Sequence, residues 1–302
     1  MNPIQPSLQL PRLSDPRRPG SLGLRSETSA EEPAASCPSE RQRTKQPDIS
    51  PLLLRWFTTY GRRYIRRHFH SLRVSLPGIL SDVDGVPFVI YTNHASWWDP
   101  LIGLVLKQAL LPNRRLFSPI DATMLERYRI FAKLGFFGVQ QRSRRGAVQF
   151  LSAAEAILCE PDSLLALTPQ GRFADARERP VRFQSGLGHL ATRTSRTVFL
   201  PMATEFVFWE ERLPEILVRF GEPVEVRREH AAVFDSDYWT ALFEQKLEET
   251  QDALSLQAQR RDPNEFITLL RGEAGQGGVY DLWRATKAWF FGGYYRKEHG
   301  NK

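Results

Sequence analysis

Cysteine is nearly absent from this 302-residue chain: Cys37 and Cys159 are the only two, and they do not stand at Cys-x-x-Cys spacing. A scaffold stapled by several disulfides and a cysteine-built zinc cluster are both excluded. Long hydrophobic runs are missing too. Lys107 breaks the stretch from Pro100 to Pro112 and arginines break the others, so nothing approaches the roughly 18 to 20 apolar residues that a spanning helix needs. There is no Gly-x-Ser-x-Gly elbow, which argues against a serine hydrolase of that type. Glu205, Glu210 and Glu211 pair with no histidine at a metal-ligand spacing, and no metal is expected. Internal repeats are absent as well.

Acidic residues are missing from one segment in particular. The chain carries 41 basic and 34 acidic residues, a formal charge of +7. Residues 1 to 50 hold seven basic and six acidic side chains, and residues 81 to 302 hold 28 of each sign. The remaining +6 sits in residues 51 to 80, on Arg55, Arg62, Arg63, Arg66, Arg67 and Arg73, with no carboxylate. Among them Leu53, Trp56, Phe57, Tyr60, Tyr64, Ile65, Phe69 and Leu72 recur at intervals of three and four. Such a helix gathers apolar side chains on one face and guanidinium groups on another, the composition of a segment lying in a membrane interface. A helix packed on its own domain with a solvated basic face has the same pattern. Basic residues mixed with aromatics also suit single-stranded nucleic acid, but the rest of the chain has no electrostatic footprint or reader motif, so no nucleic-acid partner is expected.

Four regions are expected: a disordered tail over 1–50, a basic amphipathic interface helix over 51–78, a core over 79–230, and a helical and aromatic extension over 231–302. The first is rich in proline, serine and arginine and poor in aromatic and β-branched residues, so it cannot bury enough apolar surface to offset chain entropy. It lacks the apolar stretch of a secretory signal, and its four Glu and two Asp argue against a transit peptide. After Pro77-Gly78, short apolar runs alternate with amphipathic stretches, the pattern of an α/β domain. Strands are expected at 88–92, 115–119, 164–168, 198–204 and 215–220, and helices at 100–111, 124–134, 147–159 and 186–193. A further helix is expected from the Asp235/Ser236 cap to about Arg261. A Gly-rich break at 272–278 then leads to aromatic residues from Tyr280 to Tyr295, either a second interfacial element or part of the packing.

One histidine stands out chemically. His94 follows the β-type run Phe88-Val-Ile-Tyr-Thr-Asn93 and leads into Ala-Ser-Trp-Trp-Asp99-Pro100, and strand ends are where α/β sheets place their sites. Across such a turn the Asp99 carboxylate can accept a hydrogen bond from one ring nitrogen, leaving the other as a base for a substrate hydroxyl. Asp99-Pro100 also reads as a helix cap with a first-turn proline, a purely structural use.

His94-x4-Asp99 resembles the signature of the glycerolipid acyltransferases, the lysophosphatidic acid and glycerol-phosphate acyltransferases. Further blocks follow in that family's order: Gly138-Val-Gln-Gln-Arg142, Leu165-Ala-Leu-Thr-Pro-Gln-Gly-Arg172, Arg182-Phe-Gln-Ser-Gly186 and Val198-Phe-Leu-Pro201. The similarity covers roughly residues 85 to 225. Each block alone is weak, and the specificity lies in their order. The resemblance implies a single domain built on a central mixed, mostly parallel sheet flanked by helices. It also implies transfer of a fatty acyl group from a coenzyme A or acyl-carrier-protein thioester to a lipid hydroxyl, as in phospholipid biosynthesis. No bound cofactor is implied. The chain would sit peripherally on the cytoplasmic side of a membrane, with a lipid acceptor, the thioester and the membrane surface as partners. His94 would be the base, Asp99 would orient it, and Arg142, Gln170, Gly171 and Arg172 would contact the acceptor.

The third block departs from that family. Gln170 stands where it has a glutamate, and an amide is neutral and both donates and accepts. Phe173 occupies the arginine position while Arg172 precedes it, and a shift of one residue in an extended segment turns a side chain to the other face. Arg172 recovers a phosphate contact only if the turn at Gly171 re-aims it. The segment Phe117 to Asp121 also lacks the lysine often found there in the family. A lysophospholipid with another headgroup, a glycolipid or another lipid alcohol therefore remains open as the acceptor.

Overall fold

The run Phe88-Val-Ile-Tyr-Thr92 forms the central strand of a sheet covered on both sides. Phe88 and Ile90 face one core and Val89 and Tyr91 the other, all buried. A strand with both faces covered reads as a continuous apolar run. The computed structural model describes residues 46–76, 85–141 and 143–273. Most of the expected tail, the Pro77-Gly78 boundary, Arg142 and the aromatic stretch 280–295 lie outside the described residues.

In chain order the elements are α1 (Pro51–His68), β1 (Ser71–Ser75), β2 (Phe88–Thr92), α2 (Asp99–Leu110), β3 (Arg115–Asp121) and α3 (Ala122–Arg127). After a 3-10 turn (Arg129–Leu134) come β4 (Phe136–Val139), α4 (Arg144–Leu158), β5 (Ser163–Leu167), α5 (Gly186–Ala191), β6 (Arg196–Val207), β7 (Glu215–Phe220) and β8 (Val224–Arg227). The described chain closes with α6 (Arg228–Val233), α7 (Ser236–Arg260), a 3-10 turn (Pro263–Glu265) and β9 (Phe266–Arg271). The strand order is β4-β3-β5-β2-β6-β7-β1-β9, with β8 paired to the start of β6. The run from β4 to β6 is wholly parallel, as is β7 with β1, whereas β7 and β8 meet β6 antiparallel and β9 meets β1 antiparallel. The protein is thus α/β with a mixed, mostly parallel sheet flanked by helices.

Helices α1 and α2 cover one face through Ile65, Ile102, Val105 and Leu106. Helices α4, α5 and α7 cover the other through Leu151, Ile157, Leu187, Leu190, Trp239 and Phe243. Helix α7 shows why these residues form a helix: Asp235 accepts from the Tyr238 amide at 2.8 Å, and Trp239, Phe243, Leu247, Leu254 and Ala258 bury one stripe. Gly188 lets α5 meet α7, because a Cβ there would overlap the Ser236 carbonyl and the Thr240 hydroxyl.

Several expectations are corrected. The basic helix ends at His68 rather than continuing to 78. From Ser71 the apolar period changes from three-four to two, Leu72 and Val74 enter the core, and the segment becomes β1 between β7 and β9. Arg73 is therefore no part of a cationic face. It is buried against Glu215, which also accepts from Ser71, and it donates to Thr268, because a buried guanidinium needs a paired charge and satisfied donors. The stretch 124–134 is not one helix. It breaks at Tyr128 into α3 and a 3-10 turn that stops at Gly135, in the left-handed region at φ 97°. The segment after 231 is no appendage as far as it is described, since α7 lies on the main core and β9 extends the sheet. Residues 46–50 are also packed: Gln46 donates to the Ala156 carbonyl at 2.8 Å and Ser50 caps α1.

Candidate functional site

The site begins where β2 ends. Asn93, fully buried, donates from its side-chain amide to the Thr204 carbonyl and accepts from the Thr204 N–H, each at 2.9 Å. This two-way pairing lets a side chain replace the next rung of the β2–β6 ladder, and it releases the backbone at His94. The turn is then held from three directions. The Ala174 N–H donates to the His94 carbonyl at 3.0 Å. The His94 N–H donates to Gln170 Oε1 at 3.3 Å. The Ser96 N–H donates to Asp99 Oδ2 at 3.3 Å.

Asp99 opens α2, followed by Pro100. A first-turn proline needs no amide partner, and a carboxylate is favoured at the positive end of the helix. His94 Nδ1 lies 2.7 Å from Asp99 Oδ2. A carboxylate only accepts, so Nδ1 carries the proton in this contact, and Nε2 is the ring position turned away from Asp99. The two side chains are 24% and 12% exposed, so the pair is sheltered but reachable. Asp99 Oδ1 is buried without a hydrogen-bond partner among the described residues. A buried carboxylate short of one hydrogen bond stabilises positive charge on the neighbouring imidazole as it forms.

Above the ring sits Phe173, with centroids 4.2 Å apart, and Trp97 packs on Phe173 at 5.3 Å. Both aromatics are largely exposed. Trp98 turns the other way, onto Tyr64 of α1 and Phe69. The first helix therefore abuts the His94 turn. Its buried side is Thr58, Gly61 and Ile65, while Leu52, Trp56 (61% exposed) and Tyr60 remain outside next to Arg55 and Arg63.

A cleft of about 720 Å³ opens at the carboxyl ends of β3, β4 and β5, with neither His94 nor Asp99 in its described lining; this is the end of a parallel sheet where ligands bind. Gln170 joins the two, since it lines the cleft and accepts the His94 amide. At 5% exposure it holds the His94 backbone. Gly171 makes the turn with φ 66° and Gln184 packs against it. Arg172 borders the cleft, but its guanidinium grips Glu178 in a two-pronged ion pair. That hydrogen bond holds the Glu178 carboxyl below its ordinary range. The turn at Gly171 thus re-aims Arg172 toward a protein carboxylate. Asp121, also in the cleft, is held low by hydrogen bonds from the Thr123 hydroxyl and amide. Glu205, three residues past the strand position paired with Thr92, is pushed up by burial.

The structure thus links His94, Asp99 and Gln170 by hydrogen bonds, and places Gln170, Gly171 and Arg172 at the cleft, Arg172 in a pair of its own. Sequence reasoning passes over Asn93 and Gln184. The signal for Asn93 is a polar residue closing an apolar strand, but its partner Thr204 is far along the chain. Among the described residues no three His, Cys, Asp or Glu side chains converge to hold a metal ion, and no helix is long and apolar enough to cross a membrane. No protein-family model matches the chain, and no curated protein matches it.

Proposed function

We propose that the chain transfers a fatty acyl group from a thioester of coenzyme A or an acyl-carrier protein to a hydroxyl of a lysophospholipid or related lipid. The observation that carries this reading is the 2.7 Å contact between His94 Nδ1 and Asp99 Oδ2 at the end of β2. The order of the sequence blocks similar to glycerolipid acyltransferases adds to it, and with it the finer reading of the sheet as glycerol-phosphate acyltransferase-like.

In the proposed reaction His94 Nε2 takes the acceptor hydroxyl proton as the oxygen attacks the thioester carbonyl carbon. Asp99 holds the imidazolium and keeps its own charge. Backbone amides at the start of α2 would be the donors for the tetrahedral oxyanion. The C–S bond then breaks, and the thiolate leaves with the proton from His94. No protein nucleophile is needed. The membrane side of the reading, a peripheral position on the cytoplasmic face, is supported by the exposed Leu52, Trp56 and Tyr60 among the α1 arginines.

Gln170 in place of a carboxylate supports a second reading, a catalytically idle relative that keeps the surface for lipid binding. One assay separates the two. Labelled acyl thioester is supplied with lysophospholipids, glycerol phosphate and glycolipid alcohols, and products are resolved. Acceptor-dependent ester supports transfer. Free fatty acid released at a rate indifferent to acceptor indicates a hydrolase, and liposome binding without turnover indicates the idle relative.

A further inference from the structure

The cleft that Gln170 shares with the His94 turn has apolar walls, Ile120, Val139, Phe150 and Phe183 among them, and polar groups of a particular kind set between them. Four glutamines border it: Gln140 and Gln141 after β4, Gln170 after β5, and Gln184 on the facing segment. Thr168 adds a hydroxyl and Asp121 a carboxylate. The side chains of Gln140, Gln141 and Gln184 make no hydrogen bond among the described residues, so their donors and acceptors face solvent or ligand.

Among the described residues, two of its three arginines are answered from within; Arg142, between the lining residues Gln141 and Ser143 in sequence, lies outside the described residues. Arg172 is paired with Glu178, and Arg182 donates to Glu244 at 3.2 Å. Arg144 is the cleft arginine without a protein partner among the described residues. Asp121 is kept ionised by Thr123. A dianionic phosphate monoester entering here would meet that carboxylate and would have to displace Glu178 and Glu244 to gain two of the arginines. A hydroxyl needs the opposite equipment, a donor and an acceptor together, and a primary amide supplies both on one rigid group.

From this we infer that the cleft binds a hydroxyl-rich headgroup, a sugar or cyclic polyol, in preference to a bare phosphate monoester. The inference rests on the proposed acyl transfer and names the class of its acceptor. The headgroup hydroxyls would lie against Gln140, Gln141 and Gln184. Gln170, one hydrogen bond from the His94 backbone, would set the distance between headgroup and base. Such a headgroup occurs both in a neutral glycolipid and in a polyol phosphodiester lysolipid, and the two are separable by experiment.

Binding is measured by calorimetry on full-length His94→Ala, in which the cleft is intact and turnover cannot consume the ligand. The probes are an alkyl glucoside, a lysolipid with an inositol phosphodiester headgroup, and an alkyl phosphate of the same chain length. The expected result is at least tenfold tighter binding of one or both hydroxyl-rich probes than of the alkyl phosphate, and the ranking of the two identifies the source. Gln140, Gln141 and Gln184 are exposed, so Gln→Leu replacement at all three should leave the fold intact. It should reduce that preference by about tenfold, since each lost hydrogen bond to a hydroxyl has a modest effect and three are removed. Tighter binding of the alkyl phosphate, or a preference unchanged by the triple replacement, would overturn the headgroup inference. Absence of ester product with every acceptor, despite that binding preference, would instead overturn the acyl-transfer reading.

Discussion

His94 and Asp99 meet across a strand-to-helix turn, Nδ1 to Oδ2 at 2.7 Å, while the second carboxylate oxygen is buried and has no hydrogen-bond partner among the described residues. One oxygen therefore fixes the tautomer and the other adds field without geometry. Asp99→Asn keeps the size but offers Nδ1 a group that can also donate, which permits the inactive tautomer. We expect kcat for acyl transfer to fall by about 10²- to 10⁴-fold with KM nearly unchanged. A loss confined to KM would show that Asp99 serves binding and not the imidazole.

Gln170 holds the His94 amide from a buried position. Gln170→Leu leaves that N–H without an acceptor, and urea unfolding should report a loss of about 1–3 kcal/mol. Transfer should fall as well, because the turn carrying the base loses one of its three anchors. Unchanged stability would mean that water or another carbonyl replaces the amide.

On the first helix, Arg62, Arg63, Arg66 and Arg67 follow the ridge of Trp56 and Tyr60. Replacing the four arginines with Gln should weaken binding to anionic liposomes by about 1 kcal/mol per charge near the surface, with added salt doing the same to the native chain. Trp56→Ala should weaken binding to neutral liposomes too. Equal sedimentation of all variants would remove α1 from the membrane contact.

Gly188 lies where α5 meets α7, and a methyl group there runs into the Ser236 carbonyl and the Thr240 hydroxyl. Gly188→Ala should destabilise the fold by about 1–3 kcal/mol through overpacking, seen as a lower Tm. An unchanged Tm would show that α7 can slide away from α5 without cost.

Legibility in the sequence followed the range of the interactions involved. Strand β2 and strand β7 have the expected bounds because each is built on a local apolar run, Phe88 to Tyr91 closed by Thr92 and Asn93, and Ile216 to Val218 between Glu215 and the Gly221 turn. The α7 cap at Asp235 is equally local. Strand β1 is hidden because Leu72 continues the helical spacing of α1 and Arg73 looks like another solvated arginine. Its burial depends on Glu215, more than a hundred residues later. Strand β9 is short and half-exposed at the sheet edge, so its alternation is weak. At the site, the His94–Asp99 contact spans five residues and can be read from spacing. The bonds from Gln170 and Thr204 to the His94 turn span 76 and 111 residues, and only the folded sheet brings them there.

The most direct test of the account compares native protein with His94→Ala in acyl transfer from a labelled thioester, with Tm and liposome binding shown equal for both. Acceptor-dependent ester is expected from the native chain, with a fall of at least about 10³-fold in the variant, as removal of the base requires. Equal ester formation by the two proteins would contradict it.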